Sequence, residues 1–456
     1  MFNKYKPHYK SNLKLAIPVV ISQLGHPMVS FFSAMIVGQF SGTLALAAVA
    51  LANSYFNLCM ITGIGISFGL TPLIAQEDGR KDYFNCGRLL SHSLVINLIS
   101  GLLLFACIYA GAVFGLEHMG QTIEVAREAG PLLKWLGLSI IPLMIFLTFK
   151  QFAEGLGLTK QAMQISIWGN IINIIAGIIL VKGMFGIPPM GVRGIGYSTL
   201  IDRTIMALAM SIFVLRSQKC RKYLKGFRLG GFTKNYFKQL TNMGIPVALQ
   251  YIFEASTFSA AAIMVGWIGA VEQAAHLVAM NIATMTYMMA SGLSAAAAIR
   301  SGNHTGMKDF RQLRISAISS YHITIVMMLI AGLLMVIFKD WLPLLFSEDL
   351  SLIHIASGLL VIAAFFQIFD GTQVVGLGIL RGMGDVKLPT LFTFIAYWGF
   401  GMPIAWLLGI HTSLGVYGIW LGLLIGLLIS SVLLFFRFQR ISRPENSKQI
   451  TTMLPD

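Results

Sequence analysis

A chain of 456 residues that is 56% hydrophobic and only 11% charged, with a mean hydropathy of +0.75, falls far below the about 25% charged content of soluble domains. That composition excludes a water-soluble enzyme or binding module and defines a polytopic membrane protein. The net charge of +15 does not point to nucleic acid: 26 of the 33 Lys and Arg residues gather in the amino-terminal tail and the loops of one side. This is the positive-inside pattern, which puts both termini in the cytoplasm and makes anionic lipid head groups the partners of the basic excess.

The apolar segments read as helices because the ten-residue alternating strands of a membrane barrel are absent. Their lengths predict twelve spans, at 12–38, 45–75, 90–115, 129–154, 161–184, 191–216, 242–268, 272–299, 315–338, 351–380, 387–409 and 413–437. The first follows a lysine-rich start but outruns a signal-peptide core and lacks a small-residue cleavage site, so it is expected to remain as a helix. The four cysteines, Cys59, Cys86, Cys107 and Cys220, show no CxxC spacing and read as reduced and structural. The basic loop at 217–241 divides the spans six and six. The expected organisation is an amino-terminal lobe (1–216), this cytoplasmic loop, a carboxy-terminal lobe (242–437) and a cytoplasmic tail (438–456).

An internal repeat supports the division. Laying Ile17–Gly38 over Ile245–Gly266 without gaps matches Ile17, Pro18, Val19, Ala34, Val37 and Gly38, and Asn53 then falls on Asn281. After a one-residue slip, Asp82 meets Asp309 and GLGLTK at Gly155 faces GMGDVK at Gly382; GVRGIG at Gly191 faces GVYGIW at Gly415. Each half is therefore one copy of a six-helix unit. Six is even, so the copies share topology and are expected to be related by a pseudo-twofold axis along the membrane normal.

Within that apolar background, an acid inside a span is a functional hypothesis by default, because a charge at the bilayer centre costs about 2.5–3.5 kcal/mol on insertion scales. Glu254 lies mid-way through the run GIPVALQYIFEASTFSAAAIMVG, and Asp370 lies eleven residues before the cytoplasmic Arg381, about 16 Å along a helix. Two carboxylates sharing an apolar pocket cannot both hold their charge unaided, so the pair reads as a proton carrier or a set of Na⁺ ligands. Gln250 and Phe258 share a helix face with Glu254, and Phe366 and Gln373 share one with Asp370.

In the first half, His26 occupies the position of Glu254. A histidine titrates near physiological pH and would give that lobe a switch, against the ordinary role of a packed side chain. Asp202 beside Arg203 reads as a charge network inside the bundle, and Lys150 with Glu154 as a local ion pair. Asn53, Asn173 and Asn281 read as helix–helix contacts or as cavity-lining groups. No GxxxxGK[ST], zinc motif or nucleophile elbow is present, so the sequence offers no enzymatic chemistry, no cofactor and no direct use of ATP.

These residues resemble the multidrug and toxic compound extrusion family of antiporters. The likeness runs from IPVVISQ through GISFGLTPLIAQEDGRKD and EQAAHLVAMNIATMTYMMASGLSAAAAIRSGNHTG to FDGTQVVGLGILRGMGDVKLPT. It implies two six-helix lobes forming a V around a central cavity, in a monomer of the bacterial inner membrane. It also implies export of amphipathic, often cationic compounds in exchange for Na⁺ or H⁺. Glu254 matches the family's helix 7 acid, and Asp370 the helix 10 acid of members whose cation site lies in the second lobe. Where many bacterial members carry an aspartate in helix 1 and a second polar residue in helix 5, this chain has Ser33 and Gly177; Asn173 alone is kept. Coupling is therefore expected to fall to the second lobe. The runner-up is a flippase for lipid-linked oligosaccharide, which shares the general fold but needs basic residues in its cavity, and few lie within these spans.

Overall fold

A computed structural model describes residues 4–116 and 122–443, with all their side chains but those of His26 and Thr43. Twelve helices long and apolar enough to cross a membrane occupy most of the described residues. They are α1 (Lys6–Gly42), α2 (Leu44–Arg80), α3 (Tyr83–Gly115), α4 (Ile123–Gly155), α5 (Thr159–Lys182), α6 (Val192–Arg216), α7 (Lys234–Ile268), α8 (Ala270–Gly306), α9 (Phe310–Ile337), α10 (Leu350–Gly382), α11 (Lys387–Ile410) and α12 (Val416–Ile441). No strand occurs among the described residues. Each expected span is found, and several helices run one or two turns further at their polar ends.

The repeat is visible as shared turn chemistry. Asp82 and Asp309 cap α3 and α9, each carboxylate accepting the backbone N–H three residues on, from Asn85 and from Gln312, at 3.0 Å. Such a cap satisfies one of the amides that a helix start leaves open and contributes about 0.5–2 kcal/mol. Gly157 and Gly384 follow α4 and α10 with φ of 75° and 87°, a left-handed conformation that glycine alone adopts at no steric cost.

The chain packs as two units. One comprises Ile21–Ala248; the other comprises Met1–Val20 together with Leu249–Asp456. Both divisions fall inside a helix, α1 and α7, rather than in the 217–241 loop. In the first unit α4 packs against α3 and α6, α5 packs on α6, and the short turn Tyr223–Gly226 lies on α3. The Tyr223 hydroxyl donates to Asp78 Oδ1 at 2.6 Å, so the basic loop is pinned to the end of α2.

In the second unit α10 is central, packed against α8, α9 and α12. Its contact with α8 is built from small residues. Gly378 and Gly382 form a GxxxG pair, and a Cβ at either would lie 2.4 Å from a backbone oxygen of α8, that of Ser294 or of Ala298. Close backbone approach of this kind drives helix association in lipid, where burial of apolar surface supplies no force. Ser294 Oγ also donates to the Val374 carbonyl at 2.7 Å. The start of α1 belongs to this unit: Asn12 Nδ2 donates to Ser320 Oγ at 2.9 Å, and Arg300 Nη1 to Asn12 Oδ1 at 2.8 Å.

Candidate functional site

The tight α8–α10 seam fixes the depth and rotation of Asp370, which lies two turns before Gly378. Asp370 is buried, and its Oδ1 has no hydrogen-bond partner among the described residues. Glu254 comes from α7 in the same unit, is also buried, and lies within electrostatic reach of Asp370. The two deep acids singled out in the sequence are thus brought into one environment.

Their surroundings include side chains that the sequence did not single out. The Tyr287 phenol, from α8, lies beside Glu254. Tyr397, from α11, is fully buried within a π-helical turn, Ile395–Gly401, and lies within electrostatic reach of both carboxylates. Single π turns of this kind recur at functional sites because they rotate the following side chains off the regular helical register. The Tyr397 hydroxyl donates to Gln373 Oε1 at 2.6 Å, leaving Gln373 Nε2 buried without a partner among the described residues. A turn nearer the start of α10, Gln367 Oε1 accepts from Thr286 Oγ1 at 2.6 Å. Carboxylate, amide and phenol oxygens are the donor set that suits a hard cation or a proton, not a soft metal.

Of the companions expected for Glu254, Gln250 is turned elsewhere. Its Nε2 donates to Thr390 Oγ1 at 2.9 Å, and its Oε1 accepts from Arg381 Nη2 at 3.3 Å. Arg381 itself is not a loop cation at the water's edge, as its place after the tenth span suggests, but is buried at 8% exposure in the last turn of α10. Phe366 is part of an aromatic wall, its ring 6.0 Å from Phe258 and 5.8 Å from Trp420. Trp420 Nε1 in turn donates to His276 Nδ1 at 3.0 Å.

The remaining candidates are not in this cluster. Asp202 and Asn173 lie in the other unit, where Asn173 Nδ2 reaches Asp202 Oδ2 at 3.4 Å and Thr199 Oγ1 at 3.5 Å. Arg203 points away to Ser139 Oγ, 2.7 Å, and lies over the Phe56 ring. Asn281 lies on an exposed face of α8. His26 belongs to α1, and its side chain lies outside the described residues.

Twelve membrane-crossing helices, with paired acids and amides held inside the spans, define a secondary transporter. The sequence pattern of the MatE family matches residues 18–179 and matches again at 246–407. The two matches start 228 residues apart (246 less 18), the same shift that lays Ile17 over Ile245. The chain belongs to this family, the multidrug and toxic compound extrusion transporters, and is not an enzyme.

Among curated relatives, a probable multidrug resistance protein NorM of Agrobacterium fabrum is 30% identical, over 96% of this chain and 95% of that protein. The multidrug resistance protein NorM of Photobacterium profundum is 30% identical over 99% of this chain and all of that protein. Among solved structures, the eukaryotic MATE transporter AtDTX14 superposes with a TM-score of 0.88 at 21% identity, covering 99% of this chain and 100% of that one. At that identity the likeness speaks for the fold.

Proposed function

We propose that the protein is a multidrug efflux antiporter of the bacterial inner membrane, exporting amphipathic, often cationic compounds in exchange for Na⁺ or H⁺. Both termini are cytoplasmic, the functional unit is a monomer, and its lobes are helices 1–6 and 7–12. The coupling site is Glu254 with Asp370, supported by Gln373 and lined by Phe366. The observation that carries this reading is the burial of both acids in one environment of α7 and α10, with Asp370 Oδ1 lacking any hydrogen-bond partner among the described residues. Such an oxygen inside an apolar bundle is stabilised by taking up a cation.

Cation binding from outside then favours the state that releases substrate outward, and by linkage substrate and cation weaken each other's binding. The test is ethidium export from proteoliposomes under a Na⁺ gradient and, separately, a pH gradient. Glu254→Gln or Asp370→Asn is expected to insert normally and to lose cation-driven export. Full drug resistance of cells carrying either variant overturns the site.

A further inference from the structure

Arg381 is a fixed positive charge placed within reach of the proposed coupling acid. Its Nη2 donates to Gln250 Oε1 at 3.3 Å, and Gln250 precedes Glu254 by one turn of α7, about 6 Å at the helical rise. The guanidinium carbon lies 5.9 Å from the Tyr251 ring centroid, so the side chain is laid along α7 rather than out into water. Charge interaction with Glu254 is already present in this geometry. The backbone beneath it is held firmly, because a Cβ at Gly382 would lie 2.4 Å from the Ala298 oxygen and 2.9 Å from the Gly302 nitrogen.

The repeat gives the arginine a specific meaning. In the register that pairs Gly155 with Gly382, the first-half counterpart of Arg381 is Glu154 and that of Asp370 is Leu143. The counterpart of Glu254 is His26. The half that lacks the acid pair therefore carries an acid, Glu154, at the arginine's position, and the buried cation of that helix, Lys150, sits a turn earlier and pairs with Glu154 instead. A buried arginine at this position occurs only in the half that holds Glu254 and Asp370.

We propose that Arg381 is a tethered counter-cation for Glu254, which competes with the coupling ion and displaces it toward the side carrying the basic loops. This inference rests on Glu254 being the coupling acid. When the ion leaves, an ionised Glu254 in the bundle interior requires a compensating charge, and the guanidinium supplies it by extending one turn along α7 from its anchor on Gln250. Because a guanidinium does not lose its proton, it competes with Na⁺ and H⁺ alike. Removing it strengthens cation binding and slows release, so saturation comes earlier and the maximal rate falls.

The experiment is ethidium export from proteoliposomes of the full chain, measured against the concentration of the driving cation. Wild type, Arg381→Gln, Arg381→Lys and Glu254→Gln are compared. Arg381→Gln is expected to lower the half-saturating cation concentration by about tenfold or more, the scale on which a neighbouring guanidinium alters the cation affinity of a carboxylate, and to lower the maximal rate. Arg381→Lys keeps the charge but loses the planar guanidinium and its Nη2 hydrogen bond to Gln250, so its half-saturation is expected between the two; it also carries the test should the glutamine variant fail to insert. A half-saturating concentration that is unchanged or raised in the variants overturns the counter-cation while Glu254→Gln still abolishes export. Export by Glu254→Gln at the wild-type rate instead overturns the coupling site itself.

Discussion

The Tyr397 hydroxyl donates to Gln373 Oε1 at 2.6 Å, tying the π-helical turn of α11 to α10 within one turn of Asp370. The phenol thereby fixes the orientation of the Gln373 amide. Tyr397→Phe keeps the ring edge-on to Phe258, with centroids 6.4 Å apart, but leaves a buried amide oxygen without the phenol as donor. The expected cost is about 1–3 kcal/mol of stability, read as earlier thermal unfolding in detergent. A double variant, Tyr397→Phe with Gln373→Leu, is expected to recover part of the loss, since it removes the stranded group along with its partner. Equal and additive losses in the two single variants would rule this coupling out.

What the sequence made legible follows from physical contrast. The twelve spans and both deep acids stand out because a run of apolar residues, and a charge within it, differ sharply from their surroundings. The capping pair Asp82 and Asp309 and the glycine turns at Gly157 and Gly384 were legible too, as repeats, although the caps emerge only from their bonds to Asn85 and Gln312. Tyr287 and Tyr397 were missed for the opposite reason. Tyrosine is ordinary in an apolar helix, and whether its hydroxyl turns inward depends on helix rotation and, for Tyr397, on a π turn that leaves no mark in the composition. Arg381 was misplaced because span counting treats a cation after an apolar run as a loop residue, whereas the GxxxG seam carries α10 on through Gly382 and buries it.

That seam makes a second prediction. A side chain at Gly378 meets the backbone of Ser294, which cannot yield as a flexible side chain does. Gly378→Leu must therefore force α8 and α10 apart, at a cost of about 1–3 kcal/mol or more, and shift Asp370 with the helix. The expected result is a protein that reaches the membrane, unfolds earlier in detergent and exports poorly. Gly230→Ala, where an added Cβ meets nothing within 4 Å, is the matched control and is expected to behave as wild type. Wild-type export by Gly378→Leu would show that the seam does not set the position of the acid.

Cys220 provides a pH-dependent test of the docked basic loop, which lies outside the spans. All four cysteines are free, and Cys220 is fully buried. Burial disfavours its thiolate and pushes the thiol up to about 11. The thiolate is the reactive form, so at pH 8 only about a thousandth of the population is poised to react, rising tenfold per pH unit toward that value. In a variant with Cys59, Cys86 and Cys107 changed to Ala, N-ethylmaleimide is expected to modify folded protein very slowly at pH 7–9 and denatured protein fast, as mass spectrometry would report. Rapid modification of the folded protein at pH 7 would mean that the loop does not stay docked.

The last prediction concerns the buried pair of the other unit. Lys150 Nζ lies 3.8 Å from Glu154 Oε1 and donates to Ser22 Oγ at 3.2 Å, with both charged side chains almost wholly withdrawn from solvent. Desolvating two charges costs several kcal/mol each, and the attraction between them offsets this only while both are present. Lys150→Met alone leaves Glu154 buried without its counter-charge and is expected to cost about 3–5 kcal/mol, enough to reduce the amount of folded protein recovered from membranes. Combining Lys150→Met with Glu154→Leu removes the stranded charge, and the double variant is expected to unfold at or above the wild-type temperature. If it also exports ethidium under the wild-type driving gradient, the pair is structural and coupling belongs to Glu254 and Asp370. A stable double variant that has lost export would instead place a second working charge in the amino-terminal half.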